Sequence, residues 1–447
     1  MKFIQTLKNI WTIQELRQRL TITVLLVLVY RLGCYVVLPG INPNDLDALT
    51  SFTNKSGLMQ LLDMFSGGAF SQASIFALGI MPYITASIVI QLAGMVLPSF
   101  QKMQRDGESG RQKLNQYTRY LTVLILFVQG PAYLYNLRSQ VMSAGGAVEM
   151  GVWTVIFLTI ILAAGSMFIM WLGERITDRG IGNGISFIIL VGIIARLPIA
   201  LFYEFTSRLP GSNGSQGGLI MFIVEIVLLF AVTIGAVLLV QGTRKVPVQY
   251  AKRIVGNKQY GGARQYIPLK VNAAGVMPII FAQAIMFIPI TLAGFGSKET
   301  GFFATFSDIN GFWYNLVYFI MIVAFTYFYT AITVRPTQMA EEMKRNNGFI
   351  PGVKPGKKTA EYLDSIMSRI TLPGSLFLGI VAILPAFARC FGISQNFAQF
   401  FGGTSLLIMV GVVLDTLQQI ESHLMMHHYD GLMKDGKIKG RTTGSAY

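Results

Sequence analysis

Few residues in this chain are of types and spacings that could do chemistry. His423, His427 and His428 cluster near its end without companion ligands, so they read as a solvated face and no metal site is expected. Gly352-Val-Lys-Pro-Gly-Lys357-Lys-Thr359 approaches a phosphate-cradling loop. It is one residue short between its glycines, follows no buried strand and carries two prolines near the turn, so it is not a nucleotide site. Gly180-Ile-Gly-Asn-Gly184 opens an apolar segment and is not a dinucleotide fingerprint. Arg31, Glu225 and Asp415 are read as the ionisable residues inside apolar segments, each near a segment end or paired locally, and they make no dense proton relay. Cys34 and Cys390 exclude a disulfide scaffold or thiolate cluster and read as buried small hydrophobes. No Ser-His-Asp or paired-carboxylate site can be assembled. The reading is a protein without enzymatic activity or cofactor.

What remains is a passage, and the elements that would shape it. Ile80 and Ile84 lie four apart on one helix face, as do Ile185 and Ile189, each pair read in the interior of its span. A ring of aliphatic side chains offers ions no hydrogen bonds and gates by dewetting. Isoleucines four apart also pack in any helix, and spacing leaves both readings open. The stretch Leu58–Pro98 organises the rest. Its first part, with Leu58, Leu61, Leu62 and Phe65, is helical in pattern but far too short to span, since a span needs roughly 20 apolar residues. Gly67 and Gly68 then break it, and Ala73–Leu97 reads as a full span with Pro82 inside. A broken segment of this kind either lines a cavity or lies on the membrane surface.

With 53% hydrophobic and 13% charged residues, against about 25% charged in soluble domains, the chain reads as a polytopic membrane protein. Its first residues have no small-residue cleavage site and are expected to stay in place. Ten spans are expected: Leu20–Leu38, Ala73–Leu97, Tyr117–Asn136, Val152–Leu172, Ile185–Phe205, Leu219–Val240, Ala273–Leu292, Phe312–Val334, Leu372–Arg389 and Thr404–Ile420. Ile10, Trp11, Ile13 and Leu16 form an apolar stripe suited to a surface helix. If the N-terminus is cytoplasmic, that side holds 29 of the 36 Lys and Arg and the other side 6, including Arg196 and Arg208, with Arg31 inside a span. That asymmetry puts both ends in the cytoplasm. Five spans precede the loop Ser212–Gly218 and five follow it, the arithmetic of an inverted repeat with its working site between the halves.

Two loops on the basic side are structured. Val246–Tyr250 and Gln259–Ile267 alternate as a β-hairpin. A helix from Pro336 to Asn346 turns through Gly348–Gly356 and resumes at Thr359. Positive loops set topology, but two structured basic loops on one face also suit an acidic or nucleic-acid-containing partner.

Several motifs in order carry a family resemblance. They are Tyr30-Arg-Leu-Gly33 with Leu38-Pro-Gly-Ile41, Met64-Phe-Ser-Gly-Gly68 with Ser74–Tyr83, and Arg179–Ser186. They continue in Pro247–Arg253, Ile267–Asn272, Phe349–Gly356 and Phe401–Ile408. On these the chain resembles, essentially end to end, the SecY/Sec61-alpha family of protein-conducting channels. The resemblance implies an all-α membrane protein of ten transmembrane helices, in two inverted pseudo-symmetric five-helix halves around an hourglass pore. It implies a plug at 58–71 (Leu58, Leu61, Leu62, Phe65, Gly67, Gly68) and a pore ring of Ile80, Ile84, Ile185, Ile189, Met277 and Ile408. Met277 departs from the usual β-branched choice, and its flexibility implies a seal that packs less uniquely. The lateral gate, between spans 2 and 3 on one side and 7 and 8 on the other, would be faced by Thr85, Gln91 and Gln129. Docking would fall to Lys252, Arg253, Lys258, Lys354, Lys357 and Lys358. Lys354 stands where arginine is common, keeping the charge and losing the bidentate fork.

The organisation expected is a surface segment 1–19, an N-terminal half 20–211, a C-terminal half 219–423 with loops 241–271 and 335–370, and a tail 424–447. The implied function is passage of secretory polypeptides across, and release of apolar segments sideways into, the bacterial inner membrane. The partners implied are SecE, SecG, the SecA motor ATPase, the ribosome with its rRNA, signal peptides, nascent chains and lipid. Energy would come from the motor or the ribosome. An ion-coupled transporter of a small solute, or a scaffold with no passage, are the competing readings.

Overall fold

The computed structural model describes residues 13–41, 63–143, 151–209, 218–250, 253–255, 258–260, 264–283, 285–286 and 311–434. Long apolar runs with few interior breakers give long helices. These are α1 (Gln14–Gly33), α2 (Met81–Val96), α3 (Pro98–Arg105), α4 (Glu108–Ser143), α5 (Val152–Arg179), α6 (Gly184–Ser207) and α7 (Gly218–Gln241). After the strands come α8 (Phe312–Thr333), α9 (Pro336–Arg345), α10 (Lys357–Cys390) and α11 (Gly403–Lys434). Among the described residues seven helices are long and apolar enough to cross a membrane, or eight if α2 and α3, bent by 102°, count as one span. The bend sits at Leu97, directly before Pro98, where the residue preceding proline is pushed out of helical geometry. The expected seventh span lies partly outside the described residues; of it, 277–283 are helical.

Two expected spans begin or end elsewhere. The first helix stops at Gly33, and Val36–Leu38 instead run alongside residues 73–75. The Ile75 amide donates to Val36 and the Leu38 amide to Ala73, both at 2.9 Å, with Val37 and Ser74 paired as a β-bridge. The second span is not helical from Ala73: residues 66–80 are turns, and the helix starts only at Met81. Gly79 has φ +56°, which ends one turn, and Pro82 sits at the first positions of α2, where its missing N–H costs nothing.

The expected hairpin is real but subdivided. Strand β1 (Thr243–Tyr250) pairs antiparallel with β4 (Arg264–Lys270), Val246 opposite Ile267, while β2 (Arg253–Val255) and β3 (Lys258–Tyr260) form a second hairpin within the connection. The stretch Gln259–Ile267 is therefore not one strand. The other edge of β1 takes β5 (Gly348–Phe349) from the second loop, so the two loops share one three-stranded sheet. Val246 and Val248 point inward on alternate positions to Leu269, Met343, Ile350, Leu363 and Met367, which fasten the sheet onto α9 and α10.

The chain divides into two compact units, Met1–Arg196 with Val412–Tyr447, and Leu197–Gly411. The first has a core around Leu134, Leu137, Leu158 and Leu162, with Phe70, Ala73 and Ala77 packed into it; the sheet and its core belong to the second.

Candidate functional site

Residues 63–65 form a short helical stretch, and 66–74 continue from it as turns and one β-bridge. Gly67 and Gly68, at φ +65° and +95°, turn the chain back on itself. Inside the turn the Gly68 amide donates to the Asp63 carbonyl at 2.9 Å, and the Ser66 hydroxyl accepts from the Phe70 amide at 3.0 Å. Met64, Phe65, Ala69 and Phe70 are buried.

Three long helices then reach in with polar side chains. From α1, the Tyr30 hydroxyl donates to the Ser66 carbonyl (3.1 Å) and Arg31 Nη1 to the Gly67 carbonyl (2.8 Å). From α4, the Tyr133 hydroxyl donates to the Phe70 carbonyl at 3.0 Å, its ring edge-on to Phe70 at 4.9 Å. From α6, Arg196 pairs with Asp63 and donates to the Ser71 hydroxyl at 2.8 Å. The other Asp63 oxygen accepts the Ser71 amide at 2.8 Å. Burial pushes the Asp63 carboxyl above its ordinary value, and the Arg196 guanidinium beside it opposes the rise. The backbone of α6 comes close too: a Cβ on Gly67 would stand 2.9 Å from the Gly192 Cα. Each hydrogen bond contributes about 1 kcal/mol net, and losing a donor leaves a buried carbonyl unpaired at about 1–3 kcal/mol.

Sequence reasoning read this stretch as an apolar helix and missed its fastenings. Leu58, Leu61 and Leu62 lie outside the described residues; Phe65 ends the helical stretch 63–65, and Gly67 and Gly68 lie in the turn after it. The available signal was Arg196, counted on one side of the membrane although it lies inside the expected fifth span, where the structure places it within α6. Glu204 is in the same helix, so the ionisable residues within apolar segments are more than Arg31, Glu225 and Asp415.

Of the six aliphatic positions, Ile80, Ile84, Ile185 and Ile189 lie in the first unit and Met277 and Ile408 in the second. Ile80, Ile189 and Ile408 are buried; Ile84, Ile185 and Met277 are half-buried. Each isoleucine pair sits toward the N-terminal end of its helix, with Ile84 and Ile189 inside it. Ile80 is the residue preceding α2, its carbonyl accepting the Ile84 amide at 3.1 Å, and Ile185 is the second residue of α6. Gly79 and Pro82 start α2 later than the expected span from Ala73, whereas α6 starts at Gly184, one residue before the expected Ile185.

Thr85 and Gln91 satisfy themselves within α2, Thr85 donating to the Met81 carbonyl at 3.0 Å and Gln91 to the Ser87 hydroxyl at 3.3 Å; Gln129 is half-buried on α4. Lys252 lies outside the described residues, while Arg253 and Lys258 fall in the β2–β3 hairpin. Lys354, Lys357 and Lys358 are exposed at the turn before α10, held by the Thr359 hydroxyl donating to the Lys354 carbonyl at 2.9 Å. Lys357 and Lys358 open α10, where the positive end of the helix dipole disfavours cations.

Comparison with known proteins gives one consistent answer. The SecY family model matches residues 74–417. The protein translocase subunit SecY of Streptomyces coelicolor is 42% identical over 437 residues, covering 94% of this chain and 97% of that one. Two solved structures share the fold. One concerns the plug domain of the SecY protein, which stabilizes the closed state of the translocation channel and maintains a membrane seal (18% identity, TM-score 0.60, 91% of this chain and 92% of that one). The other is Sec61 in the canine ribosome-channel complex from the endoplasmic reticulum (17% identity, TM-score 0.59, 91% and 92%).

Proposed function

The chain belongs to the SecY family, and on that premise we propose how its own residues seal, open and dock the channel. It is a multi-pass, pore-forming subunit of a protein-conducting channel and not an enzyme. Residues 58–71 act as its plug, seated by Tyr30, Arg31, Tyr133 and Arg196. Ile80, Ile84, Ile185, Ile189, Met277 and Ile408 form the seal around a passing chain, and Thr85, Gln91 and Gln129 face the lateral exit for apolar segments. Signal peptides and nascent chains are the cargo. The two halves, 20–211 and 219–423, enclose the passage.

The β1–β4–β5 sheet and the turn at Lys354 dock partners. Lys252, Arg253, Lys258, Lys354, Lys357 and Lys358 supply a cationic face for rRNA and for an acidic face of the SecA motor, which with the ribosome provides the energy. Two lysines kept at the disfavoured end of a helix support a role in binding anions over one in stability. The Lys and Arg asymmetry supports a bacterial inner membrane protein with both ends cytoplasmic, and SecE and SecG are the expected small companions.

The observation that carries the plug reading is the bonding of 63–71. Besides its apolar packing, the buried segment takes separate polar contacts from three helices, each able to break and re-form. The test is ion conductance of the reconstituted channel after deleting 58–71. A rise in leak is expected; unchanged conductance would count against the plug. Crosslinking a stalled secretory chain to Ile84→Cys or Ile408→Cys tests the seal, and labelling absent at both positions would remove it.

A further inference from the structure

The glycine run Gly180–Gly184 is held by side chains from helices near both ends of the chain, all within the first compact unit. Helix α5 ends at Arg179 and α6 starts at Gly184, so residues 180–183 make the whole connection. Loop amides of this kind can be turned on an anion at a helix start. Here they meet side-chain oxygens. The Ile181 amide donates to the Thr23 hydroxyl of α1 at 3.3 Å, and the Gly182 amide to Gln419 Oε1 of α11 at 2.9 Å. The Gly184 amide donates to the Thr177 hydroxyl of α5 at 2.9 Å. Asn183 Oδ1 accepts the Ile185 and Ser186 amides at 3.1 and 3.4 Å and so caps α6. The Thr23 and Thr177 hydroxyls are anchored in turn, donating to the Arg19 and Gly173 carbonyls, each at 2.9 Å. The Ile181 side chain is buried.

The backbone has little room to shift in this seat. Gly182 stands at φ +80°, and a Cβ on it would meet Thr416 Oγ1 of α11 at 3.4 Å. A Cβ on Gly184 would stand 2.0 Å from the Gly173 carbonyl oxygen, so α6 begins in close contact with the α5 backbone. What the seat fixes is the starting point of α6. A helix advances about 1.5 Å and turns about 100° per residue, so a start displaced by one residue moves every later side chain by that much. Ile185 and Ile189 are the second and sixth residues of α6 and share one face. Thr177 and Asn183 lie on the α5–α6 hairpin and move with it. Thr23 and Gln419 lie 158 and 237 positions from the amides they accept, on other helices, so theirs are the bonds that set the loop's height against the unit.

Resting on the channel reading, we infer that Thr23 and Gln419 are positioning residues for the seal: by accepting the Ile181 and Gly182 amides they hold the start of α6, and with it the height and facing of Ile185 and Ile189. An amide left without an acceptor at a buried site is costly. Without either acceptor the loop shifts to find another partner, and the first turns of α6 shift with it. The glycine run is then the seat of a helix and not a ligand site.

The test uses the full chain in lipid vesicles, with Cys34→Ala and Cys390→Ser removing native thiols. One thiol is then placed at the buried Ile189 (Ile189→Cys) and, in a separate control, at the buried Ser166 of α5 (Ser166→Cys). The rate of labelling by a water-soluble thiol reagent is measured on the resting channel. Gln419→Met and Thr23→Val keep the shape and remove the acceptor, and each should raise labelling at 189 several-fold. Gln419→Glu and Thr23→Ser keep an acceptor oxygen and should return it close to the parent rate. Gly184→Ala, which displaces the helix start directly, should raise it most. Labelling at 166 should stay at the parent rate throughout. Unchanged labelling at 189 in both Gln419→Met and Thr23→Val overturns the inference. So does an equal rise at 166, which would mean general loosening, or a failure of Gln419→Glu and Thr23→Ser to restore the parent rate. Ion leak recorded in the same vesicles reports the channel reading separately: labelling that rises at 189 with no added leak supports the positioning role and counts against the seal.

Discussion

The segment 63–71, proposed as the plug, and the β-sheet platform are both small pieces set among long helices, and they are fastened differently. The platform is fastened by apolar burial and a strand ladder: Val246, Val248, Leu269 and Leu363 are all nearly inaccessible, and β1 is paired on both edges. The proposed plug residues 63–71 bury Met64, Phe65, Ala69 and Phe70 and in addition take donors from Tyr30, Arg31, Tyr133 and Arg196 to their backbone and to one carboxylate. Apolar burial is non-directional and survives small shifts, whereas a hydrogen bond is lost over an ångström. A surface that must present fixed charges suits the first kind of attachment, and a stopper that must leave and return suits the second.

The largest expected effect tests the platform. Leu363→Ala removes a fully buried side chain and should cost about 2–5 kcal/mol locally. Amide exchange across β1 and β4 should accelerate and partner binding fall, while ion leak stays at the resting level. Leak rising together with exchange would erase the contrast, because the two regions would then be one cooperative piece.

Arg196→Ala comes next. It strands the Asp63 carboxylate in a buried site, a cost of about 3 kcal/mol, and resting conductance should rise. The pH dependence sharpens this. Burial raises the Asp63 carboxyl, and Arg196 and the Ser71 amide and hydroxyl oppose the rise; without Arg196 the rise is larger. A carboxyl raised in the folded state keeps its stability contribution below the ordinary carboxylate range and loses it as pH climbs through the raised value. The variant should therefore leak most near neutrality and reseal as the pH is lowered. Leak that grows on acidification would mean the pair matters for another reason. Tyr133→Phe removes one donor and keeps the ring, so a smaller rise is expected, corresponding to about 1 kcal/mol.

The two regions also differ in how far the sequence disclosed them. The platform was legible because strand alternation is local: Val246, Val248 and Tyr250 alternate along β1, and Ile267 on β4 pairs with Val246. What was missed there, β5 joining β1, links positions about a hundred residues apart through backbone bonds that leave no side-chain pattern. The glycine pair announced a break at 67–68, and hydropathy found the spans. Hydropathy could not see that residues 73–80 are turns, since apolar side chains are buried equally well in a turn and a helix. Nor could it pair Arg196 with Asp63, 133 positions apart. The residues themselves were visible as charges inside or beside apolar runs, and counting them toward topology concealed them.

The smallest expected effect separates docking from stability within the platform. Lys357 and Lys358 begin α10, where two cations oppose the helix dipole by about 0.3–1 kcal/mol each at low salt. Replacing both with glutamate should therefore stabilise the start of α10 slightly, seen as slower amide exchange over residues 357–363. The same change should weaken binding of the motor or ribosome, and the loss should shrink as salt is raised, because screened charges at an exposed site contribute less. The two effects have opposite signs in a single variant, so a general disturbance of the fold cannot produce both. Binding that survives the reversal at low salt would move the docking charge elsewhere on the sheet. Binding and stability falling together would make these lysines part of the scaffold, and the contrast between a packed platform and a charged surface laid on it would fail at that point.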